Sequence, residues 1–181
     1  MLVYLHGLYS SSRSAKGQLL RSQLGSFDVR APDYPAHQPD AAIETLMDFF
    51  AELGDARPAV VGSSMGGFYG QYMARHIPCS HLFMINPALT PWTLTNVGLD
   101  EATIQKTRIY TIDQPCDGTP TTLFLETGDK VIDYRIAERL YRDCGRCLVW
   151  EGGDHAFQHM DAALEVIRTH LLERGSSGAS A

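Results

Sequence analysis

Short apolar runs alternate with amphipathic segments along most of this chain. Most of the runs are largely apolar and end at or just before Gly, Pro or Asn, which is typical of buried strands. They lie at residues 2–6, 27–31, 59–62, 81–86, 121–126 and 147–151. Between them, apolar positions recur every three to four residues, which predicts helices. These segments lie at residues 18–24, 40–53, 65–76, 134–141 and 162–172. The alternation predicts an α/β fold, a mostly parallel sheet of about six strands with helices on both faces.

The pattern loosens between residues 87 and 120, where prolines and glycines separate short apolar groups. This segment is too short to bury a core of its own, so we expect a short lid-like excursion over the sheet. The length of 181 residues suits one domain, which we place at 1–173. Residues 174–181 are small and polar and are expected to form a flexible tail. Asp40 is expected to cap the second helix.

Composition excludes several classes of partner. The net charge of −6 and the lack of a basic block argue against nucleic acid. No apolar run approaches the roughly 20 residues of a membrane helix. The first strand begins at Leu2 without a signal-peptide pattern, so we expect a soluble cytoplasmic protein. Four cysteines are too few for a disulfide scaffold and are expected to be reduced: Cys79, Cys116, Cys144 and Cys147.

One stretch carries a chemical signature. Gly62 to Gly66 fits Gly-x-Ser-x-Gly, preceded by a strand pattern and followed by a helix pattern. In a nucleophile elbow the serine sits on a strained turn, and side chains two positions away on either side would collide. The glycine spacing therefore selects Ser64 over Ser63 as the nucleophile. In the same turn, the backbone N–H of Met65 is expected to point toward the oxyanion that forms when the serine attacks a carbonyl group.

Candidates for a base and an acid follow later strands. Ser64 needs a general base, and His155 lies on a glycine-containing loop after the sixth strand. A carboxylate is expected after the fifth strand, where Asp129 directly follows and Asp133 is the rival. Asp133 is better placed to cap the next helix. Asp154 adjoins His155 too closely in sequence to face its ring.

The loop after the first strand is expected to supply the second oxyanion donor. Gly7 lets this backbone turn its N–H groups inward, and Leu8 N–H is our choice. His6 is expected to be structural. Tyr9, Trp92 and Phe157 are candidates for substrate binding, although aromatic residues are more often ordinary packing. Tyr34 and Leu94 are further candidates of the same kind.

The order Ser64, Asp129, His155 is the order of the α/β-hydrolases, and several motifs make the similarity more specific. They are Tyr4 to Gly7, Ser10 to Ser12, Arg13 to Lys16, Gly62 to Gly67, Asn86 to Ala88, Thr127 to Arg135 and Glu151 to Phe157. In these motifs the chain resembles the small YqiA-like bacterial esterases of the α/β-hydrolase superfamily. The resemblance implies an esterase with Ser64, Asp129 and His155 as its triad and activity extending to acyl thioesters.

Other chemistries fit less well. Cys144 and Cys147 form a Cys-x-x-Cys, but it precedes a strand rather than a helix, unlike a thioredoxin site. His155 and His159 have zincin spacing, yet Ala156 stands where the catalytic Glu would be. The Gly62 to Gly67 loop lacks the Lys of a phosphate-binding loop.

The sequence therefore predicts a serine esterase acting on a small-molecule ester or thioester without a metal or organic cofactor. The alternative is a non-catalytic protein on the same fold that binds a ligand or partner. Its oligomeric state is not predicted.

Overall fold

The computed structural model describes residues 1–94, 97–115 and 118–177, without the side chains of 176 and 177. Six strands form one sheet: β1 (Leu2–Leu5), β2 (Val29–Arg30), β3 (Ala59–Ser63), β4 (His81–Ile85), β5 (Thr121–Glu126) and β6 (Gly145–Trp150). The helices are α1 (Ala15–Gln23), α2 (Pro39–Ala51), α3 (Met65–His76), α4 (Glu101–Thr107), α5 (Tyr134–Tyr141) and α6 (Met160–Ser177).

All neighbouring strands are parallel, in the order β2-β1-β3-β4-β5-β6. The predicted α/β fold with a parallel six-stranded sheet is therefore confirmed. The central strands β1, β3, β4 and β5 are buried almost throughout, which explains why their sequences are mostly apolar rather than alternating.

Successive side chains of the strands enter two separate cores, because a strand has a period of two. Val3 and Leu5 face the core formed with α2, α3 and α5. Leu2 and Tyr4 face the core formed with α1 and α6. Two apolar layers thus hold the sheet between helices, and the carboxyl ends of β1, β3, β4 and β5 meet at one edge.

Several element boundaries differ from expectation. Strand β2 is only two residues long, and the last helix runs to Ser177, so residues 174–177 of the expected tail are helical. Residues 178–181 lie outside the described part. The N-cap of α2 is Gln38, not Asp40, because the helix begins at Pro39 and Asp40 therefore lies in its first turn. The Asp40 carboxylate accepts hydrogen bonds from Lys106 (2.9 Å) and Tyr110 (2.7 Å).

Those contacts belong to the segment expected as an excursion. It contains α4 and two short 3₁₀ turns, Pro91–Thr93 and Arg108–Tyr110. The Tyr110 ring packs edge-on against Tyr72 of α3 at 5.2 Å, so the segment lies against α2 and α3. Among the described residues, no helix is both long and apolar enough to cross a bilayer.

Candidate active site

Ser64 occupies a strained turn between β3 and α3. Its φ of 55° and ψ of −119° lie in a region that residues with side chains rarely adopt, at a cost of about 1–3 kcal/mol. The glycines on either side allow this turn. A Cβ on Gly62 would overlap the backbone of Gly66, and one on Gly66 would overlap the Leu5 carbonyl. The motif is thus required sterically, and the turn presents the Ser64 side chain at the carboxyl end of the sheet.

The three residues expected to act together are in hydrogen-bond contact. Ser64 Oγ lies 3.0 Å from His155 Nε2, and His155 Nδ1 lies 2.7 Å from Asp129 Oδ2. With Nδ1–H donating to the carboxylate, Nε2 of the neutral ring is free to accept the hydroxyl proton of Ser64. The arrangement can transfer a proton from serine to imidazole beside a negative charge.

Asp129 is held in place by its own loop. The Asp129 side chain is 1% exposed, and its Oδ1 accepts from the N–H groups of Val131 (2.8 Å) and Ile132 (2.9 Å). Burial acts to raise the pKa of this carboxyl, but the hydrogen bonds from His155 and the two amides outweigh it, and the net effect lowers the pKa. Asp133, its rival, caps α5 through Arg135 N–H at 3.1 Å.

A cavity of about 630 Å³ opens over Ser64 and His155. Tyr9 and Phe157, both expected near the substrate, line it, as does Leu94. Trp92 does not line it: its ring packs against Arg108, with the guanidinium carbon 5.1 Å from the ring centre. A role for Trp92 in substrate binding stays a prediction.

The two residues expected to donate to an oxyanion also line the cavity. They are Leu8, in the loop after β1, and Met65, the first residue of α3. A Cβ on Gly7 would lie 3.3 Å from both Ser63 O and Ser64 Cβ, so this loop runs directly against the elbow. The oxyanion role of Leu8 and Met65 stays a prediction.

The sequence profile of the Uncharacterised protein family (UPF0227) matches residues 1–171. That range includes Ser64, Asp129 and His155 and every strand of the sheet. The chain belongs to this family. The membership agrees with the similarity to YqiA-like proteins noted in the sequence motifs.

Solved structures similar to this UPF0227 protein share its fold at low identity. Alpha/beta hydrolase domain-containing protein 10 from mouse is 12% identical, with a TM-score of 0.78 over 97% of this chain and 89% of its own. Est1E from Butyrivibrio proteoclasticus, with ferulic acid bound, is 15% identical, with a TM-score of 0.78 over 97% and 89%. An alpha/beta superfamily hydrolase from Oenococcus oeni PSU-1 is 15% identical, with a TM-score of 0.74 over 94% and 91%. These likenesses show the α/β-hydrolase fold.

Sequence reasoning missed the residue that anchors the His155 loop. Glu126, at the carboxyl end of β5, is completely buried. Its carboxylate accepts from the backbone N–H groups of Asp154 (2.7 Å), Gln158 (2.7 Å) and His159 (3.0 Å), and from His159 Nδ1 at 2.6 Å. The bonded amides lie on both sides of His155. A charged residue directly after the apolar run Leu123 to Leu125 of a buried strand was the available signal.

Asn86 extends the same anchor to the next strand. Its Nδ2 donates to Asp154 O at 3.0 Å, and its Oδ1 accepts from Glu126 N–H at 3.1 Å. Gly153, at a φ of 71°, lies so close to the Glu126 carboxylate that a Cβ there would overlap it. The loop therefore docks on two buried polar side chains, which fixes the direction in which His155 points.

Glu126→Gln is expected to lower the free energy of unfolding by about 3 kcal/mol, because an amide NH₂ would face donors that now share a buried carboxylate. Ester hydrolysis should also fall about 10²-fold as His155 loses its alignment. Thermal unfolding and kcat measure the two effects. The matched control is Glu165→Gln, whose carboxylate is 71% exposed and whose loss should change stability by at most about 0.5 kcal/mol. Equal effects of the two variants would contradict the anchoring role of Glu126.

His6 has the structural position expected of it. It is 1% exposed, its Nδ1 lies 2.9 Å from Gly7 O, and its ring stacks on Tyr34 at 4.3 Å. Tyr34 in turn donates its hydroxyl to His6 O at 2.5 Å and does not line the cavity, so both residues support the β1 loop from beneath. Burial lowers the pKa of His6.

The expectation of four reduced thiols is wrong for Cys144, which is disulfide-bonded. Cys79 and Cys147 are free, so the Cys-x-x-Cys is not itself a disulfide. Burial raises the pKa of the Cys147 thiol, the opposite of what a redox nucleophile needs. Cys116 lies outside the described residues.

The described residues include no cluster of His, Cys, Asp and Glu that could hold a metal ion. His159, which has zincin spacing to His155, is hydrogen-bonded to Glu126 instead.

Proposed function

We propose that this protein is a serine hydrolase of carboxylic esters, with Ser64 as nucleophile, His155 as general base and Asp129 as its orienting carboxylate. The observation that carries the proposal is the continuous hydrogen-bonded line from Ser64 Oγ through His155 to Asp129, at the floor of an open cavity. The three solved structures named above lend support only through the shared fold.

The reaction would proceed in two halves. Ser64 Oγ attacks the ester carbonyl carbon while its proton passes to His155 Nε2, and the carbonyl oxygen becomes an oxyanion facing Leu8 and Met65 N–H. His155 returns the proton to the departing alcohol, and an acyl-enzyme remains on Ser64. Water, deprotonated by the same ring, then releases the carboxylic acid. A thioester would follow the same steps with a thiol as the leaving group.

The test is covalent labelling with a fluorophosphonate probe, followed by mass spectrometry of the modified peptide. We expect one label on Ser64, because an activated serine in an accessible cavity is what such a probe reacts with. A label on Ser63 would instead identify Ser63 as the nucleophile. An unlabelled wild-type protein would favour the non-catalytic alternative on the same fold.

The pH profile of hydrolysis is expected to rise between pH 5 and 8. An imidazole must be neutral to accept a proton, and imidazole side chains lose their proton near pH 6.5 in model peptides. Asp129 does not contribute to this rise, since its lowered pKa keeps it ionised throughout the range. The measurement is kcat/KM for one ester across buffers of constant ionic strength. A flat profile over this range would contradict a histidine base.

A further inference from the structure

The cavity over Ser64 has a largely apolar lining that includes one cation. Toward the excursion and α5 it is lined by Leu94, Val97, Val131 and Ile132, and a second cavity of about 440 Å³ shares these four apolar residues. Toward α1, the lining includes Lys16. The cavity lining is therefore largely apolar, and α1 contributes one cation to it.

Lys16 has no oppositely charged partner among the residues that line the cavity. Of the described residues that line this cavity, it is the only lysine or arginine, and none is an aspartate or glutamate. Its side chain is half-buried, and it forms no hydrogen bond or ion pair with any described residue. An ammonium group has three donors and is costly to remove from water without a partner. In a protein of net charge −6, an unpaired cation beside a proposed nucleophile calls for an explanation.

The neighbouring carboxylates do not supply the missing partner. Asp129, Glu126 and Asp154 lie close enough for their charges to act on Lys16, but each has its own donors. Asp129 is bonded to His155 and two amides, and Glu126 to the loop that carries His155. Asp154 accepts from Ala156 N–H at 2.8 Å and Gln158 Nε2 at 2.8 Å. Burial also lowers the pKa of Lys16 more than these charges raise it, which agrees with an incompletely compensated ammonium.

We propose that Lys16 binds an anionic group, a carboxylate or a phosphate, on the substrate of Ser64, so that the protein hydrolyses negatively charged esters in preference to neutral ones. This inference rests on the proposed hydrolase function. The anion would lie toward α1 and the apolar part of the substrate toward Leu94 and Ile132, with the ester carbonyl between them at Ser64. Lysine suits this role because its ammonium binds carboxylate or phosphate as a compact charge.

The experiment compares kcat/KM for matched esters on wild type and variants. Phenyl butyrate is the neutral reference. Phenyl hydrogen glutarate places a carboxylate on the acyl side, para-butyryloxybenzoate places one on the leaving group, and para-butyryloxyphenyl phosphate places a phosphate there. We expect wild type to favour at least one anionic ester over the reference by about tenfold or more, as hydrogen bonds to charged groups allow. The favoured ester identifies the anion and the side of the substrate that carries it.

Lys16→Met should lower that preference about tenfold, whereas Lys16→Arg should retain most of it, since the charge remains. The matched control is Lys106→Met, because Lys106 pairs with Asp40 at 2.9 Å away from this cavity. It should leave the ratio of anionic to neutral hydrolysis as in wild type. A preference that persists in Lys16→Met, or a folded Lys16→Met protein that loses activity on all esters in parallel, would overturn the assignment.

The two proposals fail in different ways. If wild type cleaves the neutral ester and is labelled at Ser64 but shows no preference for any anionic ester, the role of Lys16 is refuted and the hydrolase function stands. That comparison needs no variant, so it holds even if Lys16→Met does not fold. If wild type is neither labelled nor active on any of the four esters, both proposals fall together.

Discussion

Replacing Ser64 with alanine is expected to lower kcat for ester hydrolysis by on the order of 10⁶-fold, the scale seen when a serine nucleophile is removed. Alanine cannot form the acyl-enzyme, and His155 Nε2 loses the hydroxyl that lies 3.0 Å away. Substrate binding should persist, because the loss of one hydroxyl leaves the cavity lining otherwise intact. Steady-state kinetics on phenyl butyrate, with a high enzyme concentration for the variant, measures the effect.

Ser63→Ala is the matched control, since it removes the neighbouring hydroxyl. Ser63 is the last residue of β3 and is 6% exposed. Its variant should keep fluorophosphonate labelling at Ser64. Similar rates for wild type and Ser64→Ala would refute the nucleophile assignment, and loss of activity only in Ser63→Ala would transfer the role to Ser63.

Asp129→Asn is expected to lower kcat about 10⁴-fold while the protein stays folded. An amide nitrogen facing His155 Nδ1 would donate where the carboxylate now accepts, which favours the tautomer with a proton on Nε2. That tautomer cannot take the proton of Ser64. The comparison is kcat at a fixed pH, with circular dichroism to verify that both proteins are folded.

Asp133→Asn distinguishes the two acidic residues of the same loop. Asparagine also caps helices well, so this variant should change stability by only a few tenths of a kcal/mol. Its kcat should stay within a small factor of wild type. A larger loss of kcat in Asp133→Asn than in Asp129→Asn would reverse the assignment of the carboxylate.

The lowered pKa of Asp129 also has a consequence for stability in acid. Because the carboxyl binds protons less readily when folded, it stabilises the protein above its unfolded pKa of about 4, and this stabilisation is lost as pH falls through the folded pKa. Asp129→Asn should therefore be less sensitive to pH below about 4 than wild type.

Much of the fold could be predicted because buried parallel strands appear as short apolar runs, whereas amphipathic helices have apolar residues every three to four positions. The predicted bounds of α3 and α5 agree with the structure. Other predicted element boundaries differ from the structure. Asp40 is an ordinary cap by sequence, but α2 begins one residue before it, at Pro39, and the Asp40 carboxylate binds Lys106 and Tyr110, about 70 positions away. The contact of the Trp92 ring with Arg108, 16 positions away in an irregular segment, is likewise not visible in the sequence.

By itself, the sequence determined which strand ends carry Ser64, Asp129 and His155, because glycine spacing and strand order are local properties of the chain. It also separated Asp129 from Asp133, since capping depends on position before a helix. Only the tertiary structure decided what holds His155 in place and what charge faces the substrate. The local sequence does not assign these roles to Glu126 and Lys16. Glu126 binds amides some 30 residues away, and Lys16 stands out because no described residue pairs with it. Both depend on groups that come together only when the parallel strands bring their carboxyl ends to one edge.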